Sequence, residues 1–219
     1  MSLGILYRNI TVNNLIYQLR FASCWSCNKD NKKLVNNLFC SHCNVLQMPD
    51  EKENYFKILG VDENYDIEEV TLAKQFKTLQ MNLHPDKFAN KKKEEQEISA
   101  QYSSLVNEAY KTLLEPLARG IYMLKLRGRE IPEKTEIDKE FLMKIMEKNE
   151  EVENADTEKQ IMHLRKENRK VIEDLQKQVS AAFFAGDLNR AERVLSIMKY
   201  YTSIDSQIEA VIREKGIIR

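Results

Sequence analysis

The stretch DIEEVTLAKQFKTLQMNLHPDKFANKKKEEQEISAQYSSLVNEAYKTL, residues 66–113, holds two runs of helical periodicity on either side of a proline. In the first, Val70, Ala73, Phe76, Leu79 and Leu83 recur three and four apart and predict the buried stripe of a helix over about 67–83. Asp66 stands where its N-cap belongs, Glu69 completes a capping box, and Tyr65 with Val70 supplies a hydrophobic staple. Lys74 and Lys77 fall off the stripe, toward solvent. Pro85 stops the helix and biases His84 toward extended backbone. A polar loop, KFANKKK, is expected next, and then a second helix marked by Ile98, Tyr102, Leu105, Ala109 and Leu113. Two antiparallel helices thus meet at a tip that displays His84, Pro85 and Asp86. Just upstream, NYFKIL (54–59) ahead of Gly60 reads as a short helix with its stop.

Downstream the chain stays helical. Ile137, Phe141, Leu142, Ile145 and Met146 give an amphipathic helix ending near Asn154, with Met143 outside the stripe and an acid-rich remainder. Thr157 with Gln160 reads as a second capping box. Ile161, Leu164, Asn168, Val171, Leu175, Val179 and Ala182 then form the seam of a long packed helix. Gly186-Asp187 is a turn, and Leu188, Ala191, Leu195, Met198, Tyr201, Ile208 and Val211 mark the last helix. Short connections require antiparallel neighbours, so residues 137–215 are expected to form a three-helix bundle.

The other end is different chemistry. All four cysteines of the chain lie in one window as Cys24-Trp-Ser-Cys27, twelve residues, then Cys40-Ser-His-Cys43. Each pair can bend so that both sulfurs face one point, and the intervening segment closes a tetrahedral site for one structural zinc in a unit spanning 24–46. A redox CxxC would need a strand–helix setting that residues 28–39 do not offer. Four bare thiols would leave this polar piece without a core, whereas bound metal supplies folding energy. His42, between two ligands, reads as a bystander. Residues 1–23 carry Arg8 and Arg20 and no acid. They suit a mitochondrial transit segment, or alternatively a plain N-terminal tail.

Composition narrows the class. Lys plus Arg and Asp plus Glu number 34 each, a formal net charge of zero. A nucleic-acid adaptor would be strongly basic. Six glycines and four prolines in 219 residues, with no proline after Pro132, exclude a glycine-dependent β-sandwich. No window approaches the roughly 18 apolar residues of a membrane span. The expected fold is all-α, with a small N-terminal zinc-binding unit.

A His-Pro-Asp tripeptide on the loop of a helical hairpin, after a helix with exposed lysines, resembles the J domain of DnaJ-type co-chaperones; here it would occupy 54–128. Residues 106–128 (VNEAYKTLLEPLARGIYMLKLRG), with Pro116, Leu117, Arg119, Tyr122, Leu124 and Gly128, look like the HscB family of iron–sulfur cluster co-chaperones. The CWSC…FCSHC unit is similar to the zinc-binding extension of that family's mitochondrial, eukaryotic branch. The resemblance implies that His84, Pro85 and Asp86, with Lys74 and Lys77, bind a DnaK-type heat-shock chaperone and stimulate its ATP hydrolysis. It implies further that Leu142, Met143, Met146, Glu147 and Glu150, joined by Tyr200, bind the cluster scaffold protein. Asn154 stands where the family often has an acid. No chemistry would occur on the chain itself, and the compartment implied is the mitochondrial matrix, with the cytoplasm as an additional location. Two rivals stay open: a general J protein for unfolded clients, and a thiol oxidoreductase using the cysteines.

Overall fold

The computed structural model describes residues 23–30, 38–131 and 138–216; the expected transit segment up to residue 22, and Ile137, lie outside the described residues. The helices are α1 (Tyr55–Leu59), α2 (Glu69–Asn82), α3 (Pro85–Phe88), α4 (Lys93–Leu114), α5 (Pro116–Leu126), α6 (Lys139–Glu153), α7 (Glu158–Phe184) and α8 (Leu188–Glu214). Among the described residues, β-structure amounts to two isolated bridges, Ser23 with Asp30 and Phe39 with Leu46. By their internal contacts the residues divide into two units, Met1–Glu63 with Glu68–Lys111 and Asn64–Ile67 with Thr112–Arg219.

In the first unit, α1 forms as the sequence predicts. The Asn54 side chain accepts the Phe56 N–H at 2.9 Å, and Gly60 closes the helix at φ 65°, where a side chain would be strained. The helix buries Phe56, Ile58 and Leu59. α2 and α4 pair antiparallel: Phe76 stacks on Tyr110 with centroids 4.1 Å apart, Ser103 donates to Gln80 at 2.8 Å, and Ser99 donates to the Leu83 carbonyl at 2.9 Å.

Three expectations need correction here. The capping box at Asp66 does not form, because α2 begins at Glu69 and its N-cap, Glu68, makes no side-chain cap bond. Residues 64–67 are held by the second unit instead: Tyr65 is buried and stacks on Phe183 at 5.8 Å, the Arg119 guanidinium sits 5.1 Å from its ring centre, and Asp66 accepts the Ser180 hydroxyl. Long-range packing overrides the local cap. Consequently Val70 is 75% exposed and staples nothing, and the inward stripe of α2 runs through Leu72, Phe76, Leu79 and Leu83. The loop after Pro85 is also more ordered than expected, since α3 occupies its start and buries Phe88.

In the second unit, the capping box of Thr157 and Gln160 is present, and Asp187 caps α8 by accepting the Arg190 N–H at 2.9 Å. Ile161, Asn168, Leu175, Val179 and Ala182 form the buried seam of α7. Against it lies α8, antiparallel, as the pairs Asn168 to the Tyr201 carbonyl (3.0 Å), Arg169–Asp205 (3.5 Å) and Arg165–Glu209 (2.7 Å) require. Ile145 and Val152 of α6 join Ile161, Ile204, Ile208 and Ile212 in one apolar cluster, the third helix of the bundle.

α5 packs on the start of α8 through Gly120. A Cβ there would lie 2.5 Å from Leu195 Cδ2 and 3.2 Å from Tyr65 Cε2, and Leu195 is fully buried. Alanine is favoured over glycine in a helix by about 1 kcal/mol, but overpacking a filled core costs about 1–3 kcal/mol. Gly120→Ala is therefore expected to lower the melting temperature by a few degrees. A rise in a thermal melt would show that Leu195 swings aside without cost.

Candidate functional site

The two CxxC segments build the same turn twice. The Asn28 N–H donates to the Cys24 carbonyl and the Asn44 N–H to the Cys40 carbonyl, both at 2.9 Å. Asn28 and Asn44 sit at φ 57° and 56°, a left-handed conformation that asparagine tolerates better than most residues. The Ser26 and His42 N–H groups point at the sulfurs of Cys24 and Cys40, each at 3.4 Å. The two turns are held together by Trp25, whose indole N–H donates to the Leu46 carbonyl at 2.7 Å, and by Gln47, whose side chain donates to Cys24 Sγ at 3.4 Å. Asn28, Asn44, Trp25 and Gln47 were not singled out in the sequence as supports of the site. The repeated pentapeptide pattern Cys-x-x-Cys-Asn was the available signal for the two asparagines.

Folded this way, the four sulfurs lie within 4.8 Å of one another. The Cys24–Cys43 and Cys27–Cys40 separations are 3.6 and 3.8 Å. A tetrahedron of sulfurs about 2.3 Å from a central ion has edges of about 3.8 Å. The sulfurs are therefore spaced for coordination and far beyond disulfide length. Their electrostatics agree. Burial opposes ionisation of Cys24, yet the Cys27 and Ser26 N–H groups and Gln47 outweigh it and bring the thiol down to about 6. Backbone N–H groups of Cys43 and His42 likewise lower Cys40. The Val45 N–H works to lower Cys43, but burial and the other three sulfurs push it up to about 12. The protein alone cannot hold four thiolates this close, whereas a cation between them can. His42 contributes its backbone N–H and no ligand atom to this cluster.

The second site is the tip between α2 and α4. His84 has φ −60° and ψ 132°, the extended geometry that a following proline enforces, and Pro85 opens α3 where its missing N–H costs nothing. The His84 ring caps that turn: Nδ1 accepts the Asp86 N–H at 3.3 Å and stands 3.5 Å from the Asp86 carboxylate. The cap leaves the side chains outside, 60% exposed for His84 and 91% for Asp86. Lys74 and Lys77 are exposed on α2. Beside the tip, Leu83, Pro85, Phe88, Ser99 and Ser103 line an open cleft of about 600 Å³. The tip is capped in its backbone and exposed in its side chains.

The third is the outer face of α6, where the expected stripe is corrected. Leu142 and Met146 are not in the bundle's seam: they are 37% and 62% exposed, next to Met143 at 61%. Val152, absent from the expected stripe, is buried in their place. Glu147 and Glu150 are exposed along the same helix. Tyr200 is half-buried on the apolar cluster, edge-on to Phe141 at 5.6 Å. Leu142, Met143 and Met146 thus make an apolar patch that folding leaves uncovered.

A tetracysteine unit, a hairpin with an exposed His-Pro-Asp tip and a helical bundle with an uncovered face together define a J-domain protein of composite build. A model of the DnaJ domain matches residues 54–122, and a model described as the HSCB C-terminal oligomerisation domain matches 137–209. The iron–sulfur cluster co-chaperone protein HscB of Homo sapiens is 37% identical over 195 residues, spanning 86% of this chain and 82% of the human one. The HscB homolog of Arabidopsis thaliana is 32% identical, over 82% of this chain and 70% of its own. The crystal structure of human co-chaperone protein HscB superposes with a TM-score of 0.80 at 34% identity, covering 86% of this chain and 97% of that one. The chain belongs to the HscB family of iron–sulfur cluster co-chaperones.

Proposed function

We propose that this chain recruits a DnaK-type heat-shock chaperone to the scaffold protein on which iron–sulfur clusters are built. His84, Pro85 and Asp86, with Lys74 and Lys77 supplying positive charge along α2, would engage the chaperone and stimulate its ATP hydrolysis. Leu142, Met143, Met146, Glu147, Glu150 and Tyr200 would hold the scaffold. The four cysteines would hold one structural zinc, since four sulfur ligands suit zinc and leave no open coordination position. Carrying both binding sites on one chain raises the effective concentration of scaffold at the chaperone without any chemistry on the chain itself. The basic, acid-free N-terminus favours delivery to the mitochondrial matrix.

The observation that carries this reading is the solvent-exposed His-Pro-Asp tip in a chain of the HscB family. The uncovered patch on α6 favours a dedicated partner over diverse unfolded clients. Its test follows from burial. Met143 and Met146 are exposed, so Met143→Ala with Met146→Ala removes apolar contact area at little cost to the fold, whereas Tyr200 supports the bundle. The double variant is expected to bind scaffold at least tenfold more weakly by titration calorimetry, about 1.4 kcal/mol. Its basal stimulation of the chaperone should be unchanged. Equal scaffold affinity in the folded variant would place the patch wrongly, and a parent that binds no scaffold would favour the general J protein.

A further inference from the structure

We propose that Met143 and Met146 are a reversible oxidation site: a hydroperoxide converts both thioethers to sulfoxides, and the chain then lets go of the scaffold without unfolding. The oxidation site stands on exposure and packing alone; the release rests on the scaffold reading above. Met143 and Met146 are 61% and 62% exposed, one turn apart on α6, with Leu142 beside them at 37%. Folding leaves this face bare because Ile145 and Val152 carry the packing of the helix. Met123 and Met198 are the contrast, buried at 2% and 1% exposure. An oxidant from solvent reaches the first pair and is kept from the second.

The step needs no catalytic group. A sulfur lone pair attacks one oxygen of hydrogen peroxide, and the O–O bond breaks as the S–O bond forms. The proton of the transferred oxygen passes to the departing hydroxide, and water leaves. Sulfur gives up two electrons and the peroxide takes them. A polar, chiral sulfoxide then stands where an apolar, pliable side chain stood. Its neighbours make the change matter for docking. Glu147 lies four residues from Met143 and Glu150 four from Met146, so each sulfoxide has an exposed carboxylate beside it on the helix surface. An ionised carboxylate only accepts hydrogen bonds, as does the sulfoxide oxygen, so the two cannot satisfy one another. In the free chain water serves that oxygen and the bundle is undisturbed. Docking would strip the water away and leave a buried acceptor unpaired, which opposes binding.

Hydrogen peroxide applied to the purified full chain, followed by peptide mass spectrometry, tests the site. Met143 and Met146 are expected to gain one oxygen each about tenfold or more faster than Met123 and Met198, with helical ellipticity unchanged. Titration calorimetry should then show scaffold affinity lower by about tenfold or more. Methionine sulfoxide reductases of both stereospecificities should restore it. Met48, Met81 and Met162 are exposed as well but lie outside α6, and peroxide also attacks cysteine thiols. Met143→Leu with Met146→Leu separates these from the α6 pair, because it keeps the volume and removes the sulfur. Its scaffold affinity after peroxide should stay within about twofold of its own value before treatment. Three results each overturn the proposal: α6 sulfurs that react no faster than the buried pair, a doubly oxidised chain that binds scaffold as tightly as before, or a leucine variant that loses as much affinity in peroxide as the parent. A parent that binds no scaffold before any treatment sinks the scaffold reading and the release with it, and the peptide masses still decide the oxidation site.

Discussion

Asp86→Asn is expected to reduce stimulation of the partner chaperone's ATPase to the unstimulated rate while leaving the thermal melt of this chain within about a degree. The asymmetry comes from where the carboxylate sits. It is 91% exposed, and its contact in the fold is the His84 ring at 3.5 Å, an exposed pairing of the kind worth little to stability. At a docked interface the same carboxylate would lose its water and meet a cationic or N–H donor. Deleting such a group typically costs 2–4 kcal/mol, which is 30-fold or more in affinity. His84→Gln should abolish stimulation too, but it is the less clean variant, because the ring also caps α3. Losing a cap of that kind costs about 1 kcal/mol. Lys77→Ala removes one exposed charge from a longer surface and should slow association more than it weakens the final complex. An Asp86→Asn protein that stimulates as well as the parent would refute the chaperone-binding role of the tip.

What could be read from the sequence was whatever is set by neighbours along the chain. The cysteine spacing, the His84-Pro85-Asp86 tip, the Thr157–Gln160 box and the Gly60 and Gly186 stops each depend on a few adjacent residues, and the structure has them. Where contacts from far along the chain decide, local rules failed. Asp66 looked like a cap, but Tyr65 and Asp66 are drawn to Phe183 and Ser180, more than a hundred residues away, and α2 starts late as a result. In α6, apolar residues spread over more than half of the helix circumference, so periodicity could not say which part of that broad face was inside. Ile204, Ile208 and Ile212 of α8 settle it by taking Ile145 and Val152 and leaving Met143 and Met146 out. Phe88 was missed because a four-residue helix has no period to detect.

One zinc equivalent per chain is expected by elemental analysis, lost in Cys24→Ser or Cys40→Ser, with the damage confined to the cysteine unit. Cys24 and Cys40 are both buried, each with a second-neighbour N–H aimed at its sulfur, so neither can be replaced by water without collapsing its turn. The apolar core of this unit is small; among the described residues Leu38 and Leu46 are its buried aliphatic side chains between Ser23 and Gln47. Two such residues bury enough area for only a few kcal/mol, less than the ordering entropy of some twenty residues. Metal contributes about 10–16 kcal/mol in comparable small sites, which is enough to close that gap. The chain offers a local reporter, because Trp25 is its one tryptophan and its indole N–H is spent on the Leu46 carbonyl across the two turns. Stripping the metal with a strong chelator should shift tryptophan emission to the red and expose four thiols to a colorimetric reagent. Helical ellipticity should barely change, since α1 to α8 lie outside residues 24–46. Chaperone stimulation by the stripped protein should persist for the same reason. Protein purified without chelators that carries no zinc, keeps its thiols reduced and shows the same tryptophan emission with and without chelator would mean that the four cysteines hold no structural ion.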